Sequence, residues 1–153
     1  MADEAYRAVF LRVHPTGKMV LSLTTDSDGR EPEYAQLVAQ ELGVPPLDVK
    51  VVPADTDRFG VGHGYNTSPS DATPGAISSA TAKIRDKAQL LAGMALGAAP
   101  ETLSWANGAW VAGDGTDPTA VKTIEDLALY AHGTGELPPG VEGGLDAQTV
   151  YAD

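Results

Sequence analysis

With 153 residues, 42% of them hydrophobic and 20% charged, the chain is long enough to bury a core as one domain. Ten Lys and Arg against 21 Asp and Glu leave a net charge of −11, which repels nucleic-acid backbones and anionic lipid surfaces alike. Cysteine is absent, so disulfides, thiolate metal sites and thiol catalysis are excluded within the chain, and no apolar run approaches the roughly 20 residues of a membrane-spanning helix.

The first residues, Met1, Ala2, Asp3 and Glu4, are acidic and lack the basic and apolar stretches of a signal peptide, so a cytoplasmic location is expected. Residues 6–14 (YRAVFLRVH) alternate, with Tyr6, Ala8, Phe10 and Arg12 on one side and Arg7, Val9, Leu11 and Val13 on the other. Pro15, Thr16, Gly17 and Lys18 supply a turn, and residues 19–25 (MVLSLTT) return as a second strand, which predicts an antiparallel hairpin. Residues 26–30 form a polar exit around Gly29, a place where a ligand could touch the backbone.

Residues 33–42 (EYAQLVAQEL) place Tyr34, Leu37, Val38 and Leu42 at helical spacing, with Gly43 as the stop. Val44, Pro45 and Pro46 forbid continuation, and residues 48–53 (DVKVVP) predict a short buried strand. That strand feeds a long polar loop, from Asp55 onward. Gly60, Gly62 and Gly64 admit positive φ or a close ligand, and Asn66, Thr67, Ser68, Ser70, Asp71 and Thr73 offer donors and acceptors. Loops of this composition also serve as plain connections. Pro74 and Gly75 lead into a helix over about residues 76–96, so the loop ends at a helix N-terminus that favours an anion. Ile77, Ala80, Ile84, Ala88, Leu91 and Ala95 share one face of this helix, and the small residues Ala80, Ala82, Ala88 and Ala92 allow close packing on a sheet.

Residues 102–111 read as a second hairpin about Asn107 and Gly108, with Trp105 and Trp110 as a cross-strand pair. Residues 123–132 (TIEDLALYAH) form a short helix capped by Thr123, packing Ile124 and Leu127 and ended by Gly133. Residues 133–153 are an extended tail with too little apolar surface to fold alone, and lie along another surface of this chain or of a partner. The expected fold is α+β: one domain over residues 1–153 with a β-hairpin, helix, strand, long loop and helix, a second hairpin and a short C-terminal helix.

The chemistry-bearing residues give no catalytic residue and no metal ligand. His14, His63 and His132 lack metal-binding spacing, and His14 and His132 read as structural. Ser68, His63 and Asp71 contain the residue types of a hydrolytic triad within a few positions, but such members normally converge from separate elements and no G-x-S-x-G is present. The run from Gly60 to Tyr65 fails G-x-G-x-x-G.

Several segments together resemble a known family. They are Tyr6, Arg7, Ala8 and Val9 leading to Val13, His14, Pro15, Thr16, Gly17 and Lys18; residues 34–39 (YAQLVA) with residues 41–45 (ELGVP); residues 51–56 running into the glycine loop; Asn66, Thr67, Ser68 and Pro69 before the long helix; and Leu137, Pro138, Pro139 and Gly140 with Leu145 and Tyr151. In this order they resemble the molybdenum-cofactor-binding large subunit of the xanthine dehydrogenase, aldehyde oxidase and carbon monoxide dehydrogenase family, of which the chain is similar to a short segment. The resemblance implies a piece of the pocket for a molybdopterin dinucleotide, shared with a larger molybdenum-binding subunit beside iron–sulfur and flavin subunits. It implies an oxidoreductase that hydroxylates an aldehyde or N-heterocycle with oxygen from water, and contacts to the cofactor from Gly29, Gly64, Asn66, Thr67, Ser68, Ser70 and Thr73.

The chain departs from the family in lacking the later segment that carries the general-base glutamate, so it is expected to be inactive alone. Where the family has a Gln-Gly-containing loop, this chain has Ser27, Asp28, Gly29, Arg30 and Glu31. Asp28, Glu31 and Asp71 near a pyrophosphate would repel it unless Arg30, Arg58 or a partner's cation compensates. The alternative is therefore a binding or assembly subunit that kept the fold and lost the cofactor, with an independent small hydrolase using Ser68 and His63 as a third reading.

Overall fold

The computed structural model describes residues 7–25, 29–53, 72–106, 108–114, 116–134, 137 and 139–151. The opening alternation becomes a hairpin of β1 (Ala8–Val13) and β2 (Met19–Leu23), antiparallel with Val9 opposite Leu23 and Val13 opposite Met19. Its turn closes with the Gly17 N–H donating to the His14 carbonyl at 2.8 Å. Helix α1 (Glu31–Leu42) follows and stops at Gly43, which takes the left-handed conformation that a residue without a Cβ adopts freely. A 3-10 turn (Pro46–Asp48) then leads into β3 (Val49–Val52), which lies parallel to β2.

The long helix α2 spans Thr73–Leu96 and ends at Gly97, again left-handed. It begins about a turn before the expected position because Pro74 belongs to its first turn, where the missing proline N–H would have had no intrahelical partner. A 3-10 turn (Pro100–Thr102) precedes a small meander of β4 (Ser104–Ala106), β5 (Ala109–Val111) and β6 (Val121–Thr123), and Trp105 stands opposite Trp110 with ring centroids 4.3 Å apart. Helix α3 (Ile124–Leu129) starts with a reciprocal capping box: the Asp126 N–H donates to Thr123 Oγ1, and the Thr123 N–H donates to Asp126 Oδ2. A π-type turn (Tyr130–Thr134) follows it.

The tail folds back onto this same chain. Its strand β7 (Leu145–Val150) pairs antiparallel with β1, giving a mixed sheet of order β3-β2-β1-β7. Val9, Leu11, Val13, Met19, Leu21, Leu23 and Leu145 point to the face covered by α1 and α2, where Tyr34, Val38, Leu42, Ile77, Ile84 and Leu91 complete the core. Ala80, Ala88 and Ala92 are buried at this contact and let α2 approach the sheet closely, whereas Ala82 faces solvent. β3 is an edge strand, with Val49 buried but Lys50 exposed, so its expected full burial is corrected. The architecture is α+β.

Candidate functional site

The sheet has one end where its connections gather. β2 and β3 run parallel, so their carboxyl ends, Leu23 and Val52, lie together. Ala8, which begins β1, faces Val150, which ends β7. β2 and β3 therefore end on the same side of the sheet, and α2 begins there, its Thr73 hydroxyl against Tyr151 just past the end of β7. A crevice outside the carboxyl ends of parallel strands is the favoured ligand position in sheets of this kind.

Thr73 is the first residue of α2 and is 1% exposed. Its Oγ1 lies 2.8 Å from the Tyr151 hydroxyl, which in turn lies 3.4 Å from Thr25 Oγ1. The Tyr151 N–H donates to the Arg7 carbonyl at 2.9 Å, continuing the β7–β1 ladder by one step. Beside it the Ala8 N–H donates to Thr24 Oγ1 at 2.8 Å, and the Thr24 N–H donates to the Ala8 carbonyl at 3.2 Å. This end of the sheet is thus a buried layer of hydroxyls joining three segments.

The two helix starts above that layer differ electrically. α1 carries Glu31 and Glu33 in its first turn, and Arg30 Nε pairs with Glu33 Oε2 at 3.0 Å while its guanidinium sits 5.3 Å from the Tyr34 ring centre. α2 has no acid in its first turn and no capping side chain among the described residues, a helix start whose dipole favours an anion. A side-chain carbon at Gly75, in that first turn, would meet nothing within 4 Å among the described residues. The same holds at Gly29, whose φ of +75° suits glycine. Both glycines leave room for a ligand to reach the backbone.

Of the residues proposed from the sequence, Thr73 and Gly29 are placed at this end. Gly64, Asn66, Thr67, Ser68 and Ser70 lie outside the described residues, as do Asp28, Arg58, His63 and Asp71. Thr25 was missed by sequence reasoning, and Tyr151 carried only a family likeness, because nothing local announces a contact across 126 residues. The other histidines bond away from this end: His14 Nδ1 lies 2.9 Å from Thr16 Oγ1 in the β1–β2 turn, and His132 Nε2 donates to the Val13 carbonyl at 3.1 Å. A cavity of about 180 Å³ between the β1–β2 turn, the end of α1 and the start of α3, lined by Thr16, Gly17, Gly43, Asp48 and Glu125, lies at the opposite end of the sheet.

Residues 2–153 match the sequence profile of the molybdopterin cofactor-binding domain. The chain belongs to that family. It is 35% identical over 145 residues to the carbon monoxide dehydrogenase large chain of Afipia carboxidovorans, a match that covers 92% of this chain and 17% of that protein. Among solved structures, reconstituted CO dehydrogenase from Oligotropha carboxidovorans superposes with a TM-score of 0.79 at 29% identity, covering 97% of this chain and 18% of that one. Quinoline 2-oxidoreductase from Pseudomonas putida 86 gives a TM-score of 0.74 at 25% identity, covering 96% and 19%. The chain thus spans about one sixth of the length of the curated relative.

For a molybdopterin cofactor-binding domain the donor set at this end is suitable. A phosphate-bearing cofactor would fit a helix start that has no acid in its first turn, and Glu33 of α1 is paired with Arg30. No helix among the described residues is long and apolar enough to cross a membrane.

Proposed function

We propose that this chain acts as a subunit of a heteromeric molybdenum hydroxylase in the cytoplasm and supplies part of the pocket for a molybdopterin dinucleotide shared with a larger molybdenum-binding subunit. The observation that carries this reading is the convergence of β2, β3 and the acid-free start of α2 at one end of the sheet in a chain of this family. Residues 1–153 form one domain in this reading, with 133–153 as its packed tail. Gly29, Gly64, Asn66, Thr67, Ser68, Ser70 and Thr73 are the cofactor contacts.

When bound, the cofactor supplies the redox centre at which an aldehyde or N-heterocycle gains oxygen from water, with electrons leaving through iron–sulfur and flavin subunits. The chain's own residues bind and orient. The first-turn N–H groups of α2 would hold a phosphate, and Gly29, Gly64 and the hydroxyl and amide side chains of residues 66–70 would contribute contacts to the pterin. None of these groups moves a proton in the reaction, so the chain alone is inactive. The likeness to quinoline 2-oxidoreductase supports an N-heterocycle, and the likeness to carbon monoxide dehydrogenase adds carbon monoxide to the substrates to assay.

Native mass spectrometry of the complex purified through this chain tests the proposal. A larger co-purifying subunit with molybdenum is expected. A lone, metal-free chain would favour the binding or assembly subunit that has lost the cofactor.

A further inference from the structure

We propose that Tyr151 is a positioning residue that sets the start of α2 relative to the end of β2 through a single hydroxyl, a role that rests on the cofactor reading above. Tyr151 continues the face of β7 that carries Leu145, Ala147 and Thr149, so its ring packs against the core beneath α2. A phenolic hydroxyl has one donor and can also accept, so it can serve two partners at once. Here the partners are Thr73 Oγ1 at 2.8 Å and Thr25 Oγ1 at 3.4 Å.

Both threonines are buried, at 1% and 0% exposure, so water does not replace the phenol if it is lost. Thr25 immediately precedes the exit that contains Gly29, and Thr73 immediately follows the loop that contains Asn66, Thr67 and Ser68. One oxygen thereby fixes the roots of both segments relative to each other. Tyr151 itself reaches the cofactor only through them. The rest of α2 is tied to the tail separately, by Lys83 Nζ donating to the Gln148 carbonyl at 2.7 Å and Lys87 Nζ to the Glu142 carbonyl at 2.9 Å. Loss of the phenol is therefore a local event at the helix start.

The test is Tyr151→Phe in the natively purified complex, read by amide hydrogen exchange and by the pterin nucleotide retained after dialysis. The Ala76 N–H, which bonds to the Ala72 carbonyl at 3.1 Å, should exchange about tenfold faster while amides of residues 88–92 are unchanged. Retained pterin should fall severalfold. Thr73→Val should reproduce the faster exchange at Ala76, which keeps the test open if Tyr151→Phe fails to assemble. Unchanged exchange at Ala76, or acceleration along the whole of α2, would overturn the proposal. A wild-type complex that holds no pterin would instead defeat the cofactor reading, and the exchange measurement would still decide whether Tyr151 holds the helix start.

Discussion

A side-chain carbon at Gly108 would collide with the Gly43 carbonyl oxygen, so the β4–β5 hairpin rests directly on the end of α1 at Gly108. Gly108 also has a φ of +79°, which a residue with a Cβ adopts only under strain. Gly108→Ala should therefore destabilise the protein by about 2–4 kcal/mol, strain and steric conflict acting together. Denaturant unfolding checks this, with Gly113→Ala as the control: Gly113 shares the positive φ, but nothing lies within 4 Å of the added carbon.

The two tryptophans of that hairpin should behave unequally although they face each other. Trp110 is 1% exposed, whereas Trp105 is half-buried with the Arg85 guanidinium 5.1 Å from its ring centre. Trp110→Ala is expected to cost about 3–5 kcal/mol through the cavity it leaves. Trp105→Ala should cost about 1–2 kcal/mol, from partial burial and the lost cation–π contact. Equal losses in urea titrations would show that the small sheet is held by the pair rather than by the core beneath Trp110.

Those local contacts are also the ones legible in the sequence. The alternation of residues 6–14, the turn residues from Pro15 to Lys18 and the glycine stop at Gly43 each specify their structure within a few positions. Non-local pairing was not legible. In β7, Leu145 is the one large apolar residue on the inward face, with Ala147 and Thr149 after it, so pairing with β1 is supplied by β1 rather than announced by the tail. The start of α2 was misplaced because Pro74 reads equally as the end of a loop and as the opening turn of a helix. At the candidate site, sequence gave Gly29 and Thr73 by composition and resemblance. The Tyr151 contact with Thr73 spans 78 residues and has no local signature.

Acid should loosen one surface segment. The Asp114 carboxyl is held below the usual carboxylate range by the Thr116 N–H and then the Thr116 hydroxyl, at 3.0 and 2.7 Å. Asp117 is lowered by the Thr119 hydroxyl and then the Thr119 N–H, at 2.7 and 2.9 Å. Because both groups are depressed in the folded state, their contribution is present above the unfolded carboxylate value and is lost as the pH falls through the folded one. The amide resonances of Thr116 and Thr119 should therefore titrate below the ordinary aspartate range. Midpoints within or above that range would contradict the two hydrogen-bonded turns.

The central claim is that the first turn of α2 faces the cofactor, and the absence of cysteine makes it directly addressable. Gly75→Cys places a single thiol of this chain in that turn, where Gly75 is exposed and an added carbon meets nothing within 4 Å. A thiol at a helix N-terminus is activated towards alkylation. The measurement is its modification rate by a maleimide in the native complex, loaded and then stripped of cofactor. The loaded complex should react about tenfold more slowly, because the cofactor covers the helix start. Equal rates in the two preparations would contradict the claim.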